Sequence, residues 1–365
     1  MYLWENTGWP TFTWDESILS PLVAKVSYAQ GHLLGKMEAL GFDLRNEAQL
    51  QTLTEDVIKS SEIEGENLER RQVRSSVARR LGIDVGGTYQ VDRHVEGIVE
   101  MMLDASGNYS QSLTMERLYS WHAALFPTGR SGMSKIRVAE WRDDSNGPMQ
   151  VVSGPVGRGK VHFQAMPATG LPQEMAAFLD WVEQSSNLNP LLKAGLAHLW
   201  FITIHPFDDG NGRIARALTD MLLARSEKST QRFYSMSTQI QVERNDYYTN
   251  LEWSQKGGLD VTRWLEWFLG CLLSAIEDAQ RVLAEILAKA HFWERFSKHP
   301  LSERQIKVLN RLLDGFEGKL TTSKWAKLAK CSVDTAHRDI VDLIGRGALQ
   351  KDPGGGRSTS YSLVY

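Results

Sequence analysis

Residues 205–216 combine several residue types that phosphate chemistry requires, in the order HPFDDGNGRIAR. The apolar stretch 191–204 before them predicts a buried helix, because its aliphatic and aromatic residues are too dense to leave a polar face. Gly210 and Gly212 permit positive φ and close backbone approach, and a second helix is predicted to begin after Gly210. Its free backbone N–H groups and positive end would then face one point, which suits a phosphate.

The side chains of this run suit the same chemistry. Arg213 and Arg216 are three residues apart and share a helical face, so their guanidinium groups can grip phosphate oxygens or a carboxylate. Asp209 is a hard oxygen ligand for Mg²⁺, which commonly binds through one or two carboxylates together with substrate phosphates. His205 can accept a proton near neutral pH, because an unperturbed imidazole has a pKa of about 6.5. Taken singly these residues favour a turn and a solvated surface, but together they favour a nucleotide site.

The run fits the pattern H-x-F-x-[D/E]-G-N-G-R-x-x-R at every fixed position and thereby resembles the Fic family. Fic proteins commonly transfer AMP from ATP to a Ser, Thr or Tyr hydroxyl of a target protein, using Mg²⁺ and releasing pyrophosphate. The resemblance implies that His205 deprotonates the target hydroxyl, that Asp209 holds the metal and that Arg213 neutralises charge on the polyphosphate. It also implies a phosphate cradle made by the turn residues Gly210, Asn211 and Gly212.

A second pattern lies upstream, where residues 60–67 read SSEIEGEN. Gly65 is a plausible helix stop, and Glu64 opposes the preference of a helix C-terminus for cations, as a solvated glutamate often does. The segment fits [S/T]-x-x-x-E-[G/N], with Ser60, Glu64 and Gly65 at the fixed places, and resembles the inhibitory helix of Fic proteins. The resemblance implies that Glu64 pairs with Arg216, distorts the γ-phosphate site and makes the enzyme auto-inhibited.

Composition narrows the function classes. The chain has 365 residues and a formal net charge of -3, which gives no global attraction to nucleic acid or membrane. Its two cysteines, Cys271 and Cys331, lie in different regions, so they support neither a disulfide framework nor a cysteine-rich zinc site. The N-terminus lacks the pattern of a signal peptide, and no apolar run reaches the roughly 18 to 20 residues of a membrane span. We therefore expect a soluble, cytoplasmic protein without membrane association.

The hydrophobic spacing predicts a mainly α protein. The resemblance implies three parts: an N-terminal helical region with the inhibitory helix (1–105), a Fic core with a β-hairpin flap (106–288) and a winged-helix-like domain (292–365). Helices are predicted at 15–40, from 46 into the inhibitory segment, and at 67–81, 94–104, 115–125 and 261–287. A break is expected at Gly86-Gly87. The basic face of 67–81 is more simply solvated than nucleic-acid-binding.

Residues 136–167 contain β-type runs at 137–141, 149–153 and 160–163 between glycines and prolines, which predicts a hairpin. Its position resembles that of the Fic flap, which pairs with the backbone of the target. Residues 154–160 imitate a P-loop, but Val161 stands where Ser or Thr is required, so we reject that reading. Beyond the core motif, the resemblance places Tyr247 and Tyr248 at the adenine pocket. Gln255 falls where many relatives have Asn.

The C-terminal segment resembles a winged helix. Helices are predicted at 305–313 and 324–328, a third begins after Ser332 as N-cap, and β-type runs at 349–351 and 361–364 flank a glycine-rich wing. Four basic residues could contact DNA, namely Arg338, Arg346, Lys351 and Arg357. The domain could equally mediate protein contacts or cap the molecule, and both readings stay open.

Two functions compete with auto-inhibited AMP transfer. One is a DNA-binding regulator whose Fic core senses nucleotide. The other is an enzyme of the same core that removes AMP or transfers a different phosphate-containing group. Modification of the protein by itself and a homodimer that controls Glu64 are also compatible with the resemblance.

Overall fold

A computed structural model describes residues 1–84, 89–154, 159–184, 187–296, 301–313, 316, 318–353 and 359–364. The expected break at Gly86-Gly87, most of the rejected P-loop segment and Arg357 in the wing lie outside these residues. The chain divides into two compact units, Met1–Gln280 and Arg281–Tyr365. None of the described helices combines the length and apolar composition that crossing a membrane requires.

The fold is mainly helical, as predicted. The helices are α1 (Glu16–Glu38), α2 (Phe42–Ile63), α3 (Arg70–Leu81), α4 (Arg93–Gly107), α5 (Met115–Leu125), α6 (Leu171–Glu183), α7 (Pro190–Ile204), α8 (Asn211–Glu227), α9 (Met236–Val242), α10 (Arg244–Gln255), α11 (Thr262–Phe296), α12 (Glu303–Leu313), α13 (Thr322–Ala329) and α14 (Val333–Gly345). The strands are β1 (Arg130–Ser131), β2 (Ser134–Lys135), β3 (Gln150–Ser153), β4 (Lys160–Gln164), β5 (Leu349–Lys351) and β6 (Tyr361–Leu363).

The core of the first unit is built around α7 and α8, which pack against each other and join at residues 205–210. Every residue of α7 from Leu191 onward is buried except Lys193, which confirms the prediction of a helix without a polar face. Helix α8 also packs against α4, and its first half is buried throughout apart from Gly212. The connection between the two helices is therefore held at both ends by the core.

Some boundaries differ from the predictions. Helix α2 begins four residues earlier than expected, α3 begins at Arg70 rather than at residue 67, and α11 continues nine residues beyond 287. The predicted strand at 137–141 is wrong. Arg137 donates its backbone N–H to the Asp208 carboxylate at 2.8 Å, and Ala139, at φ 57°, donates to Nδ1 of His122 at 3.2 Å. These groups are thus unavailable to a neighbouring strand.

The described strands form three antiparallel pairs, β1 with β2, β3 with β4, and β5 with β6. The pair β3–β4 confirms the predicted hairpin. Its register shifts between Val151, which faces Phe163, and Val152, which faces Val161. His162 is therefore an extra residue on β4, as in a β-bulge.

The second unit contains α12, α13 and α14 followed by β5 and β6, in the predicted order. Its core includes Trp325 and Ile340, which are fully buried. Ser332 is the N-cap of α14 and accepts the backbone N–H of Thr335 at 3.2 Å, as expected. The winged-helix assignment itself stays a prediction.

Candidate active site

The loop between α7 and α8 is closed by one side chain. Asn211, the first residue of α8, accepts the backbone N–H of Phe207 at 3.0 Å and donates to the Phe207 carbonyl at 2.8 Å. Gly210 precedes it at φ 82°, a conformation that favours glycine. Because both ends of the Asn211 amide are occupied, only its backbone could contribute to a phosphate cradle.

A second support comes from the buried aromatic side chain of the loop. Phe207 is fully buried and stacks on His122, with ring centroids 4.1 Å apart and an angle of 9°. Burial lowers the pKa of His122 to about 4, so its ring is neutral at pH 7. Its Nε2 lies 3.1 Å from the Asp209 carbonyl, and its Nδ1 accepts the N–H of Ala139. His122 thus fixes the loop from α5.

His205 has the geometry of a general base. It follows the last residue of α7 at φ 53°, and its Nδ1 lies 3.3 Å from the Ile202 carbonyl. Burial lowers the pKa of His205 to about 4, against the weaker opposite effect of that hydrogen bond. The neutral ring therefore donates from Nδ1 and keeps the lone pair of Nε2 for a proton. Nε of Arg142 donates to the His205 carbonyl at 2.7 Å and holds the backbone in place.

Asp209 offers a half-buried carboxylate at the turn. Its Oδ1 accepts the Gly210 N–H at 2.5 Å, and its Oδ2 bonds the hydroxyl of Ser131. Among the residues that the structure describes, no three His, Cys, Asp or Glu side chains converge as a complete metal site. Mg²⁺ does not need such a set, because it takes one or two carboxylates together with waters and substrate phosphates. Asp209 fits that mode of binding.

The ion pair that the resemblance implies between Glu64 and Arg216 is present. Nη2 of Arg216 lies 2.9 Å from Oε1 of Glu64. The same guanidinium donates from Nε to the Ser60 hydroxyl at 2.9 Å and from Nη2 to the Ser60 carbonyl at 2.7 Å. Burial, the largest single effect, would lower the pKa of Arg216, but the Glu64 carboxylate together with Tyr247 and Tyr248 outweighs it and raises that pKa, so the group stays charged.

The Glu64 carboxylate also lies against the first turn of α8. A Cβ atom added to Gly212 would collide with Oε1 of Glu64. Gly65 follows at φ 83°, where the chain leaves α2. The carboxylate therefore occupies the position at the N-terminus of α8 that favours an anion.

The structure adds a carboxylate that the sequence did not single out. Glu66 lies 2.9 Å from Nη1 of Arg213 through Oε2 and contacts Nε2 of His94 through Oε1. Burial opposes ionisation of Glu66, but the His94 hydrogen bond and the Arg213 charge hold its pKa below the ordinary value. Both arginines of the motif are thus paired with glutamates two residues apart. In the sequence, only the alternating glutamates of residues 62–66 pointed to Glu66, and that pattern does not reveal which residue Glu66 contacts.

A cavity of about 670 Å³ adjoins these groups and is lined by Glu64, His205 and Gly212, by Val152 of the hairpin, and by Tyr247 and Tyr248 of α10. The size suits a nucleotide-sized ligand. The two tyrosines differ, because Tyr247 is 2% exposed and Tyr248 is 38% exposed.

Tyr247 belongs to the core, where its hydroxyl lies 3.0 Å from Nε2 of His198. Tyr248 is therefore the better placed to stack on a base. Gln255, also on the cavity wall, donates to the Ile202 carbonyl at 3.3 Å, so its amide is partly used for structure.

The C-terminal end of α2 is hydrogen-bonded to residues that line this cavity. The Ile63 carbonyl accepts hydrogen bonds from Nη2 of Arg244 at 2.9 Å and from the Tyr248 hydroxyl at 3.3 Å. A free helix C-terminus leaves its last carbonyls without partners, so these bonds stabilise the position of the segment that carries Glu64. No pattern in the sequence indicates this role for Arg244.

Three of the four basic residues that were predicted to contact DNA lie among the described residues. Arg338 and Lys351 are exposed, whereas Nε of Arg346 is paired with Asp342 at 3.0 Å. Arg357 is outside the described residues. The DNA-binding reading stays a prediction.

Comparison with known families gives two matches. Residues 2–83 match a domain of unknown function, DUF4172, and residues 112–223 match the Fic/DOC family. Protein adenylyltransferase Fic of Drosophila mojavensis is 26% identical over 229 residues, which cover 61% of this chain and 40% of the relative. The protein of the same name from Nematostella vectensis is 33% identical over 109 residues, 29% of this chain and 24% of the relative. The chain thus spans well under half the length of these curated relatives.

Solved structures show the same fold. A Fic family protein from Desulfovibrio desulfuricans G20 matches with a TM-score of 0.52 and 22% identity, over 94% of this chain and 96% of that one. Fic-1 (aa134–508) from C. elegans matches with a TM-score of 0.52 and 18% identity, over 75% of each chain. The resemblance inferred from the motif is confirmed, because residues 112–223 of this chain match the Fic/DOC family.

Proposed function

We propose that the protein is an auto-inhibited adenylyltransferase, which transfers AMP from ATP to a Ser, Thr or Tyr hydroxyl of a target protein and releases pyrophosphate. The observation that carries this proposal is the Glu64 carboxylate, 2.9 Å from Arg216 and in contact with Gly212 at the start of α8. A carboxylate and a phosphate make the same charge-assisted bonds to guanidinium and backbone N–H groups. The curated relatives are named protein adenylyltransferases, which supports the same activity.

In the proposed reaction, Nε2 of His205 accepts the proton of the target hydroxyl. The hydroxyl oxygen forms a bond to the α-phosphorus, and the bond from that phosphorus to the pyrophosphate oxygen breaks. Arg213, Arg216 and the backbone N–H groups at the start of α8 neutralise negative charge on the polyphosphate. Mg²⁺ held by Asp209 and the phosphates would supply further stabilisation of the leaving pyrophosphate.

The inhibitory contact acts on the same arginine. Arg216 bonds Glu64 and Ser60. A γ-phosphate could bind Arg216 only by displacing the Glu64 carboxylate, which is also negatively charged. The Glu64 side chain is 34% exposed, so it can leave for solvent when the segment moves. Auto-inhibition therefore needs no second protein.

The hairpin β3–β4 is the surface on which the target would align. Among the described residues these strands pair only with each other, and Val151 and Val152 are exposed by 36% and 58%. An unpaired strand edge beside apolar side chains can add an extended peptide as a further strand. Because the hairpin also lines the cavity, such a peptide would bring its hydroxyl towards His205.

The test compares wild type, Glu64→Gly and Glu64→Gly/His205→Ala, each incubated with Mg²⁺, ATP labelled on the α-phosphate and a cell extract as the source of targets. Glu62→Gly is the matched control, since Glu62 lies on the same helix but pairs with Lys59 at 2.7 Å. We expect label on extract proteins only with Glu64→Gly, and its loss when His205 is also replaced.

Three outcomes would contradict parts of the proposal. Equal labelling by wild type and Glu64→Gly would remove auto-inhibition. Labelling that survives His205→Ala on extract proteins would remove the proposed base. Release of AMP from a modified protein without any labelling would favour the reverse reaction. Neither DNA binding nor a homodimer forms part of the proposal.

A further inference from the structure

A short hairpin, formed by β1 and β2, contacts the candidate metal ligand. Ser131 of β1 faces Ser134 of β2, and Gly132 turns the chain between them at φ 53°. The half-buried Ser131 donates its hydroxyl to Oδ2 of Asp209, which lies 78 positions further along the chain. An element outside the run 205–216 therefore bonds the one carboxylate of that run that suits Mg²⁺.

The hairpin and the residues after it are held in place by two further hydrogen bonds. Nη1 of Arg130 donates to the Met133 carbonyl at 2.8 Å, which closes the turn. After β2, the backbone N–H of Arg137 donates to the carboxylate of Asp208 at 2.8 Å. The segment thus binds two consecutive carboxylates of the loop, and Ser131 is presented from a fixed backbone.

Both oxygens of the Asp209 carboxylate consequently have a donor. Oδ1 accepts the Gly210 N–H at 2.5 Å, and Oδ2 accepts the Ser131 hydroxyl. The terminal torsion of an aspartate is otherwise broad, so donors at both oxygens select one orientation of the group. Each carboxylate oxygen can accept about two bonds, which leaves capacity on both for a cation.

A hydroxyl is well suited to this role because it is neutral. A lysine or arginine at the same place would orient the carboxylate too, but its positive charge would compete with a metal ion for the same oxygens. Ser131 orients Asp209 and leaves its negative charge available. Carboxylates that bind metals are commonly held by such hydrogen bonds from groups that do not touch the metal.

We propose that Ser131 is a positioning residue for metal-dependent nucleotide binding, and that its hydroxyl fixes the orientation in which Asp209 offers an oxygen to a divalent cation. This role rests on the proposed function, because the cation would bind together with the phosphates of ATP. Ser131 acts only through Asp209. Its removal should therefore weaken the contribution of the metal and leave the bonds between the phosphates and α8 as they are.

The first experiment measures binding, in Glu64→Gly protein so that the inhibitory carboxylate does not interfere. Isothermal titration with a non-hydrolysable ATP analogue gives one Kd in EDTA and one with Mn²⁺, which takes oxygen ligands as Mg²⁺ does. The ratio of the two Kd values is the gain in affinity that the metal supplies. Ser131→Ala removes the hydroxyl, and Ser131→Thr retains one. Ser134→Ala, which removes the exposed hydroxyl opposite Ser131, is the matched control.

We expect the gain to fall by about tenfold or more in Ser131→Ala, the effect typical of removing a group that holds a metal ligand, while the Kd in EDTA stays unchanged. Ser131→Thr and Ser134→Ala should retain the gain. An unchanged gain in Ser131→Ala would overturn the proposal. So would equal weakening in EDTA and in Mn²⁺, because the serine would then support the loop as a whole. A gain that survives Asp209→Asn would also overturn it, since Asp209 would not hold the metal.

The second experiment measures AMP transfer from labelled ATP to extract proteins at a series of Mg²⁺ concentrations, with Glu64→Gly and Glu64→Gly/Ser131→Ala. We expect the Mg²⁺ concentration for half-maximal labelling to rise by about tenfold or more in the double variant. Labelling with an unshifted Mg²⁺ requirement would refute the role of Ser131 and leave the proposed function intact. If neither variant labels any protein but the gain still falls in Ser131→Ala, AMP transfer is refuted and the role of Ser131 in metal binding stands.

Discussion

Glu66 forms an ion pair of 2.9 Å with Arg213, and Glu64, two residues earlier, forms one of the same length with Arg216. The segment after α2 thus engages both arginines of the run 205–216. The Arg213 side chain is 6% exposed, and its guanidinium lies 5.1 Å from the centre of the Phe126 ring. Because its position is already fixed, Arg213 can exchange one anion for another without rearranging its own side chain.

The first prediction concerns Glu66. In Glu66→Gln the charge that competes for Arg213 is lost, so ATP should bind more tightly, by about tenfold or roughly 1.4 kcal/mol. Isothermal titration with a non-hydrolysable ATP analogue and Mg²⁺ measures this change. Glu69→Gln is the control, since Glu69 is exposed and bonds Gln72 rather than an arginine. Weaker binding in Glu66→Gln than in the control would show that Glu66 assists the nucleotide instead of competing with it.

The second prediction distinguishes a structural role of the Asn211 side chain from a role in ATP binding. Asn211→Ala leaves the buried N–H and carbonyl of Phe207 without partners, which costs about 1–3 kcal/mol for each group. Urea unfolding should therefore show a clear loss of stability. Asn146→Ala, in an exposed loop, should change stability by less than about 0.5 kcal/mol. If Asn211→Ala kept full stability but lost ATP binding, the amide would be a ligand group and the loop would not depend on it.

The third prediction is the pH dependence of activity. Burial lowers the pKa of His205 to about 4, so the base should stay unprotonated well below the ordinary histidine range. In Glu64→Gly, kcat/KM should remain level from pH 8 to pH 6 and decline only as the pH approaches about 4. Removing Glu64 also removes a negative charge that raises this pKa, which shifts the decline further down. A half-maximal rate near pH 6.5 would contradict a buried neutral His205.

The fourth prediction is the pH dependence of stability. Burial lowers the pKa of His198 to about 3 and that of His122 to about 4, whereas both titrate near 6.5 in the unfolded chain. Between these values the unfolded state binds more protons, so the free energy of unfolding falls as the pH falls, by up to about 1.4 kcal/mol per pH unit for each histidine. The stabilisation is complete above pH 6.5.

Urea unfolding at several pH values measures this slope. His198→Gln should reduce it below pH 6.5, whatever its effect on stability at pH 7, because one of the titrating groups is gone. His32→Gln is the comparison, since His32 is exposed on α1 and should leave the slope unchanged. A slope that is the same in all three proteins would exclude His198 as a source of acid sensitivity.

The local pattern predicted much of the fold. Helix α5 and the buried helix α7 followed directly from their hydrophobic spacing, because periodicity reports which face a helix buries. The prediction of a strand at 137–141 was wrong because the contacts that decide this segment are not local. Its backbone groups bond Asp208 and His122, which are far away in the sequence, and no local propensity reveals such partners.

At the candidate site, the motif and the inhibitory segment were predictable because each is continuous in sequence. The contact of Glu66 with Arg213 joins residues 147 positions apart, so it depends on the packing of α2 against α8. The hydrogen bonds that join His162 to Ser153 and to Glu252 connect two strands and a helix, and they depend on a bulge that shifts the register by one residue. Neither could be read from a linear pattern.

Gly65 connects the two carboxylates, at φ 83° between Glu64 and Glu66. Only glycine adopts that conformation without strain, so the spacing of the two contacts is set by a residue that makes neither of them. A related sequence in which this glycine is replaced could keep both glutamates and still lose their ion pairs with Arg213 and Arg216. In such a lineage the proposed auto-inhibition would be lost while both glutamates remained, and the responsible substitution would lie at a residue that contacts neither arginine.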